Sequence, residues 1–362
     1  MGPMGRHRPL DAEGMSVSSP TSAERLTSGP GAPGRRSRRW RRVGRLVRTR
    51  LLVFVPVIAL VSAATFWLAS RSPFDPLAAY LGDRFERTSV EQRASLAEQL
   101  GINDAWYAVW WRWVGDVVVR GDLGQSRSLA RPVADVLAQR LPWTLLLGGA
   151  GLTIAVVASL VLGVLAARRP GSLLDRFAGG LAYVLQGVPP FVVALVGIAV
   201  LSLGLGWLPV AGVATGGADP TWGSIARHLV LPACVLGLSL MPWLLLNVRT
   251  SMVAALREDH VQAARARGLP ERIVVWRHAL PAALLPFVTV VGARLPEVVT
   301  GALLVETVFS WPGLAAATVD AATSMDFPLL AAVTVLTCAA VLLGSLLADA
   351  LYLLLDPRVD HA

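Results

Sequence analysis

The sequence predicts an all-α integral membrane protein with six transmembrane helices, and three observations support this fold class. The 362 residues are 54% hydrophobic and only 16% charged, whereas about a quarter of the residues in an ordinary soluble domain are charged. Six apolar segments are long enough to cross a hydrocarbon core of ~30 Å as helices of about 20 residues. Arginine is concentrated in alternate loops between these segments, as expected of loops on the cytoplasmic side.

The first 50 residues are predicted to be a disordered, basic cytoplasmic tail. Residues 1–34 are rich in Gly, Pro, Ser and Arg and show no apolar period, which is typical of disorder. Residues 35–50 contain nine arginines and no acidic residue. A basic tract of this kind binds nucleic acid or an anionic membrane surface. Because an apolar segment follows it directly, we expect membrane lipid as its partner and no nucleic acid.

Residues 51–70 form the first apolar segment, twenty residues without a charge. Two interpretations are open, a transmembrane helix or a cleaved signal peptide, since residues 62–64 are small. The apolar region of a signal peptide has only ~7–15 residues. This segment continues through the large side chains at 66–68, so an uncleaved transmembrane helix is favoured.

Residues 71–140 are predicted to form a small helical cap on the extracytoplasmic face. Ser89 and Gln92 have the spacing of a capping box, which marks the start of a helix. Gly101 is suited to end that helix. A cluster of aromatic residues follows, of the kind that gathers at membrane–water interfaces; its members are Trp106, Tyr107, Trp110, Trp111 and Trp113.

Residues 141–357 are predicted to be a core of five further transmembrane helices, and 358–362 a short cytoplasmic tail. The five spans are Leu141–Ala167, Phe177–Leu205, Leu229–Val248, Ala282–Val305 and Phe327–Leu355. The span Phe177–Leu205 contains two consecutive prolines, Pro189 and Pro190. Proline in a membrane helix frees backbone groups that neighbouring helices must satisfy, so we expect a bend there.

The arginines of the short loops predict the orientation of the chain. The loops 168–176 and 249–278 contain three and six arginines, whereas 206–228 contains one and 306–326 none. Arginine-rich short loops remain in the cytoplasm. Six spans then place both termini and the two arginine-rich loops in the cytoplasm, and residues 71–140 outside.

The most informative segment of the sequence is 259–270, in the second arginine-rich loop. Asp259 can cap the start of a helix, and Gln262, three residues later, can reach back to it. Gly268 is suited to the left-handed position after a helix, and Pro270 prevents its continuation. The segment therefore predicts a helix of two turns, about 12 Å long.

This short helix has one face of small and medium side chains. Val261, Ala264 and Gly268 fall on that face at helical spacing. Two interpretations fit this pattern: a helix that docks in a groove of a cytoplasmic partner, or an ordinary loop helix at the membrane interface. Physical chemistry alone does not decide between them.

The segment resembles the EAA coupling motif of ATP-binding-cassette (ABC) importer permeases, which has the pattern E-A-A-x3-G-x9-I-x-L-P. Ala263, Ala264 and Gly268 match this pattern, and residues 280–281 match its Leu-Pro at the expected distance. Gln262 occupies the glutamate position, and a histidine occupies the isoleucine position. The form Ala-Arg-Ala-Arg-Gly-Leu, which ends at Leu269, resembles the dipeptide/oligopeptide/nickel branch of these permeases.

The resemblance extends over about residues 45–360. Within the family, the chain is most similar to the first of the two sibling permeases that are usually encoded together. The segments that carry it are 121–126, 186–189, 305–314, 326–328 and 355–358. The chain departs in three places from the pattern of the dipeptide/oligopeptide/nickel branch. Pro281 fits the general Leu-Pro of the motif but stands where the first sibling usually has an arginine after His-Ala-Leu. Residues 72–76 lack a glycine of the family motif, and Arg294 and Glu297 place charges in an apolar helix.

The resemblance implies an import cycle that needs several other chains. The expected partners are two cytoplasmic ABC ATPase subunits, a sibling permease subunit and an extracytoplasmic solute-binding protein, in a bacterial cytoplasmic membrane. Asp259, Val261, Gln262, Ala263, Ala264, Gly268 and Leu269 would couple the permease to the ATPases. Di- or oligopeptides are the expected solute, with nickel or another small solute as the alternative.

The sequence predicts no catalytic residue, cofactor or metal site in this chain. All 33 basic residues are arginine, and a Walker A loop requires a lysine, so ATP hydrolysis is expected of partner subunits. The five histidines and two cysteines form no cluster in the sequence. A secondary transporter driven by an ion gradient is the remaining rival, but such proteins often contain repeats, and this sequence shows none.

Arg294 and Glu297 are candidate functional residues within the fifth span. They lie three residues apart, so one face of a helix presents both. Charges at this depth are costly and usually face the interior of a helix bundle, where they pair. The pair is predicted either to be structural or to line the translocation pathway, where Arg294 could meet a carboxylate of the substrate.

Overall fold

The computed structural model describes residues 35–71, 77, 81, 84–99, 104–126, 128–295, 297–300, 302–324 and 326–355. Within these ranges the chain is mostly helical. Predictions made for residues 1–34, 72–76 and 356–362, and the prediction that Gly101 ends a helix, fall outside the described residues.

The described helices are numbered here in chain order. They are α1 (Arg35–Ser70), α2 (Val90–Gln99), α3 (Trp106–Gly115), α4 (Val133–Arg168), α5 (Leu173–Gly187), α6 (Pro190–Gly197), α7 (Trp222–Ala255), α8 (Asp259–Ala266), α9 (Glu271–Ile273), α10 (Leu280–Arg294), α11 (Glu297–Thr300), α12 (Ala302–Val308), α13 (Leu314–Thr323) and α14 (Phe327–Leu355). Three π-helical turns, Asp116–Arg120, Ile198–Gly204 and Val274–Ala279, extend α3, α6 and α9.

Four of these helices are long and apolar enough to cross a membrane. They contain the segments Val47–Ser70, Val133–Arg168, Trp222–Ala255 and Phe327–Ala350. Two further pairs of helical segments meet the same criteria but are bent, so the described residues contain four to six candidate spans. The fold is therefore an all-α membrane fold, as the sequence predicts.

Helix α1 begins well before the apolar segment. It starts at Arg35, whereas the sequence predicted a disordered tail up to residue 50. Arginine has a high helix propensity, and a helix propagates easily from a turn that already exists. The apolar span therefore continues into the basic tract. Near the membrane end of that tract, Arg50 pairs with Asp349 of α14 and joins the first and last helices.

The bend predicted at the proline pair is present and is large. Helix α5 ends at Gly187, Pro189 occupies the N-cap of α6, and Pro190 is its first residue. The axes of Leu173–Gly187 and Pro190–Gly204 differ by 104°. Such an angle describes either a broken span or a re-entrant segment, both of which expose backbone groups that other helices must satisfy.

The segment 282–305, predicted as one span, is divided in the structure. Helix α10 ends at Arg294, and α11 and α12 follow as two short helices. A bend of 52° also separates Glu271–Leu284 from Pro286–Arg294. Prolines at 286 and 296 of the sequence explain the bend and the division, because each lacks the amide that would donate a helical hydrogen bond.

The core of the described chain is the packing of α4 against α7. Glycines permit the close approach: a Cβ atom at Gly151 would lie 2.8 Å from the Leu236 side chain, and one at Gly163 would lie 2.7 Å from Val248. Gly237 of α7 makes the reciprocal approach to Ile154. Small residues of this kind let membrane helices pack by van der Waals contact.

The predicted cap segment contains the expected helix start. The amide of Ser89 binds the Gln92 side chain at 3.3 Å, and the amide of Gln92 binds the Ser89 hydroxyl at 3.2 Å, so the capping box is confirmed. Helix α3 packs on α1, where Trp110 Nε1 donates to the Ser62 hydroxyl at 3.0 Å. A short antiparallel hairpin, Gln125–Ser126 with Arg131–Pro132, leads into α4.

Candidate functional site

The short helix α8 has the length predicted from the sequence but a different start. It contains eight residues, Asp259–Ala266, and Gly268 follows it with φ +76°. These two predictions are confirmed. The predicted N-cap is wrong: Glu258 occupies that position, no side chain caps the helix, and Asp259 is its first residue. Two consecutive acidic residues both suit a helix start, and the turn after α7 selects the first.

The predicted docking face of α8 is largely turned into the protein. Val261 is fully buried and Ala264 is 3% exposed, and both belong to the same apolar core as Met252 and Val274. Gly268, by contrast, is exposed. The sequence pattern identified a contact face correctly, but most of this contact is with the chain itself.

Three polar contacts fasten α8 to the surrounding loop. The Gln262 side chain donates to the Leu256 carbonyl at 2.8 Å, instead of reaching back to cap the helix. Arg265 forms a forked ion pair with Glu271, with contacts of 2.7 and 3.2 Å. His260 Nε2 lies 3.2 Å from the His278 carbonyl. The helix is therefore held at both ends by residues that precede and follow it.

A buried ion pair lies beside the end of the helix that leads into α8. Asp175 of α5 is 5% exposed, and both of its carboxylate oxygens bind the guanidinium of Arg249 on α7. The amide of Gly171 also donates to this carboxylate at 2.8 Å, and the Ser172 hydroxyl caps α5. The loop 168–176 is thus joined to α7 one to two turns before that helix ends.

The outward side of α8 is exposed, and the segment that follows α8 lines an open cleft. Residues 259, 260, 262, 263 and 266–268 are exposed. The neighbouring cleft has a volume of about 800 Å³ and is lined by Pro270, Arg272, Ile273, Trp276 and Arg277. Trp276 is 55% exposed and Ile273 40% exposed. A partly apolar, partly basic surface of this kind is suited to contact another protein.

The charged residues predicted in the fifth span are paired. Arg294 is the last residue of α10, Glu297 is the first of α11, and their side chains form an ion pair. The Arg294 guanidinium also lies 5.4 Å from the ring of Trp243 on α7. Sequence spacing predicted the pair, but the contribution of Trp243 was not foreseen.

Two buried acidic residues, Asp326 and Glu306, accept hydrogen bonds that join neighbouring segments away from α8. The Asp326 carboxylate accepts hydrogen bonds from the Ser126 hydroxyl at 2.6 Å and the Ser128 amide at 3.0 Å, which joins the hairpin to the start of α14. The Glu306 carboxylate accepts from the Ala315 amide at 2.8 Å near the start of α13. A Cβ atom at Gly313 would lie 2.3 Å from the Glu306 carboxylate.

The Asp175–Arg249 pair was not predicted from the sequence. Asp175 lies in the arginine-rich loop 168–176, and Arg249 is the first residue of the arginine-rich loop 249–278. An isolated acid among arginines is a signal that could have suggested an ion pair. The particular partner, 74 residues away, could not be selected.

The fold and these contacts define a class of protein: a multi-span helical membrane protein with a short, well-anchored helix in a loop between spans. The chain belongs to the family described as the binding-protein-dependent transport system inner membrane component, which matches residues 159–361. This result confirms the family resemblance predicted from the sequence.

Three relatives are similar over nearly their whole length. The chain is 34% identical over 313 residues to the oligopeptide transport system permease protein AppB of Bacillus subtilis, covering 86% of this chain and 98% of that protein. It is 33% identical over 312 residues to the glutathione transport system permease protein GsiC of Escherichia coli O6:H1, with coverage of 86% and 97%. It is 32% identical over 333 residues to the dipeptide transport system permease protein DppB of Escherichia coli K12, with the same coverage.

Proposed function

We propose that this chain is the transmembrane permease subunit of an ABC importer that carries di- or oligopeptides across a bacterial cytoplasmic membrane. The relatives named above are permeases of oligopeptide, dipeptide and glutathione systems. Glutathione is itself a small peptide, so the three names agree on a solute class. Nickel and an ion-driven transporter, the alternatives left by the sequence, have no comparable support.

The proposed importer contains three kinds of partner protein. Two ATPase subunits bind the cytoplasmic face, a sibling permease completes the pathway, and an extracytoplasmic binding protein delivers the peptide. The absence of lysine from the sequence agrees with ATP hydrolysis by the partners, because a Walker A loop needs that residue. In this proposal the chain forms part of the translocation pathway and changes conformation, and the partner subunits hydrolyse the ATP.

The proposed topology has six spans, with each bent pair counted as one. Both termini are then cytoplasmic, residues 71–140 form the extracytoplasmic cap, and 141–357 form the core. The arginines of 168–176 and 249–278 support this orientation, because short basic loops stay inside. The Asp175–Arg249 pair agrees with it as well, since it joins these two loops on one side of the bundle.

Helix α8 is the proposed coupling helix, and the observation that carries this proposal is its division into two faces. Val261, Ala264 and Leu269 anchor it in the core, and Gln262 and Arg265 fasten it to Leu256. The exposed residues, including Asp259, Ala263 and Gly268, remain free for a partner. A helix held this firmly can pass a movement of the ATPases to the spans as a rigid body.

The exposed face of α8 and the cleft beside it form the proposed ATPase contact. Ala263 offers a small side chain that permits close approach, and Trp276 in the cleft offers a large apolar surface. Aromatic residues that fill pockets supply much of the binding energy in protein interfaces. The basic residues Arg272 and Arg277 at the rim would favour acidic residues on the ATPase.

Site-specific cross-linking tests this arrangement. The two native cysteines, Cys234 and Cys338, are first replaced by serine, and single cysteines are then placed at Ala263 or Ala264. Ala263→Cys is expected to cross-link to an ATPase subunit in the assembled importer, whereas the buried Ala264→Cys is not. Cross-linking at neither position, in a complex that still contains both ATPases, would contradict the docking of α8.

A further inference from the structure

Arg294, Glu297 and Trp243 lie together, well away from the loop 256–279 that joins α7 and α10. Arg294 ends α10, fourteen residues after Leu280, which corresponds to about 21 Å of helix. Trp243 lies twelve residues before the end of α7 at Ala255, or about 18 Å. In the proposed topology α7 and α10 both lead away from the same cytoplasmic loop. The two helix lengths, the one for α10 shortened by the 52° bend before Pro286, therefore place the cluster well within the membrane.

The cluster is open on one side of the chain. The side chains of Arg294 and Glu297 are 23% and 36% exposed, and Trp243 is 58% exposed. Charges at this depth are costly in contact with lipid, and they usually face the interior of a bundle or a cavity that contains water. The open side is therefore expected to face the sibling subunit and the pathway between the two.

The helix break that presents the two charges is held firmly from behind. A Cβ atom at Gly292 would lie 2.4 Å from the Ala348 Cβ of α14, so α10 packs closely on that helix. A Cβ atom at Gly148 of α4 would lie 2.3 Å from the Val298 carbonyl, which packs α11 on α4. These close contacts lie on either side of the charged pair along the chain and keep its position fixed.

The same face of α7 contains a further polar group. Asn247 lies four residues after Trp243, so the two residues are neighbours on the helix surface. Its Oδ1 atom is buried and has no hydrogen-bond partner among the described residues.

We propose that Arg294, Glu297 and Trp243 form a binding site for the charged termini of a peptide in transit, an inference that rests on the proposed peptide import. A guanidinium binds a carboxylate with two parallel hydrogen bonds, so Arg294 receives the carboxyl terminus. Glu297 receives the terminal ammonium group, and the Trp243 ring can contact an ammonium group or an apolar side chain.

The ion pair explains how the site remains stable when it is empty. Without a peptide, Arg294 and Glu297 neutralise each other, which avoids two unpaired charges within the membrane. A zwitterionic peptide supplies one charge of each sign and can exchange partners with the pair. Net charge is conserved in this exchange, so loading and release require no uncompensated charge.

Uptake of three peptides by the complete importer in proteoliposomes tests the proposal. The peptides are Ala-Ala, N-acetyl-Ala-Ala and Ala-Ala-amide, each supplied at a concentration that saturates the binding protein. The initial rate of each variant is divided by the wild-type rate for the same peptide, so that selection by the binding protein cancels. The variants are Arg294→Gln, Glu297→Gln and their combination. The matched control is the Arg50→Gln and Asp349→Asn double variant, which removes another partly exposed ion pair.

Arg294→Gln is expected to lower uptake of the two peptides with a free carboxylate by about tenfold and to affect Ala-Ala-amide less. Glu297→Gln is expected to act on the two peptides with a free amino terminus. The combined variant should regain the wild-type protein level but not the uptake of Ala-Ala. In the control variant, the uptake rate relative to wild type should be the same for all three peptides.

Recovery of Ala-Ala uptake in the combined variant, or an equal loss for all three peptides, would show that the pair is only structural. Failure of the wild-type importer to transport any of the peptides would overturn the proposed function and this site with it.

Discussion

Arg249 binds the Asp175 carboxylate through both Nε and Nη2, and this ion pair connects the loop 168–176 to the helix that leads into α8. Asp175 is almost completely buried, and it also accepts a hydrogen bond from Gly171. The turn 256–258 follows α7 directly and carries the carbonyl that binds Gln262 and Arg265. The position of α8 therefore depends on where the pair holds the end of α7.

Loss of the Asp175 charge is predicted to destabilise the protein. Asp175→Asn leaves the half-buried Arg249 without its partner. Breaking a fully buried pair on one side costs ~3–5 kcal/mol, and a cost of about half that is expected here because water reaches Arg249. The measurement is thermal unfolding of the purified protein in detergent. Arg120→Gln is the control, because it removes an exposed pair with Asp116, and such pairs contribute only ~0–1 kcal/mol. Equal unfolding temperatures of the two variants would show that the Asp175–Arg249 pair contributes little to the stability of the fold.

Two neighbouring alanines of α8 are predicted to respond differently to the same substitution. Ala264→Asp buries a charge in the apolar core of the chain, so the amount of inserted protein should fall. Ala263→Asp places the charge on the exposed face, so the protein should insert normally but hydrolyse ATP without transporting peptide. Membrane protein level, ATPase activity and uptake are measured for both. Normal uptake by Ala263→Asp would remove this residue from the ATPase contact.

Gly268 is predicted to be required for its backbone conformation rather than for its small size. Its φ is +76°, and a Cβ atom there would meet no atom within 4 Å. Asparagine tolerates the left-handed region far better than leucine does. Gly268→Asn should therefore retain most of the uptake, whereas Gly268→Leu should lose it. If both variants transport equally well, the left-handed turn is not needed to position α8.

The proposed topology predicts the location of four loop positions. Reporter fusions at Asp104 and Ala218 should report an extracytoplasmic location, and fusions at Asp175 and Glu271 a cytoplasmic one. The physical reason is the arginine content of the short loops. The bent pair at α5 and α6 makes Ala218 the most informative position, because a re-entrant segment would leave it in the cytoplasm. A cytoplasmic report at Asp104 would contradict the six-span arrangement as a whole.

Local features of the site could be predicted from the sequence because they depend on nearby residues. The Ser89–Gln92 capping box, the length of α8 and the left-handed Gly268 follow from spacing within a few positions. The family motif around Ala263 also depends only on short spacings. In each case the local preference and the final fold agree, as expected of a natural sequence.

Features that depend on tertiary packing could not be predicted in this way. Periodicity identified the face of α8 that contains Val261 and Ala264, but it could not say whether that face packs on a partner or on its own chain. The approach of Trp243 to Arg294 and the pairing of Asp175 with Arg249 depend on how α7 packs against α10 and α5. Such contacts between distant segments are determined by the whole arrangement of helices rather than by local spacing.

The most direct test of the central claim is peptide accumulation in proteoliposomes that contain this chain, its sibling permease and the two ATPases. Binding protein loaded with labelled dipeptide is supplied on one side and ATP on the other, with no ion gradient. The account predicts accumulation of peptide against its concentration gradient that stops when the ATP is replaced by a non-hydrolysable analogue. Accumulation driven by a proton or sodium gradient without ATP would contradict the account.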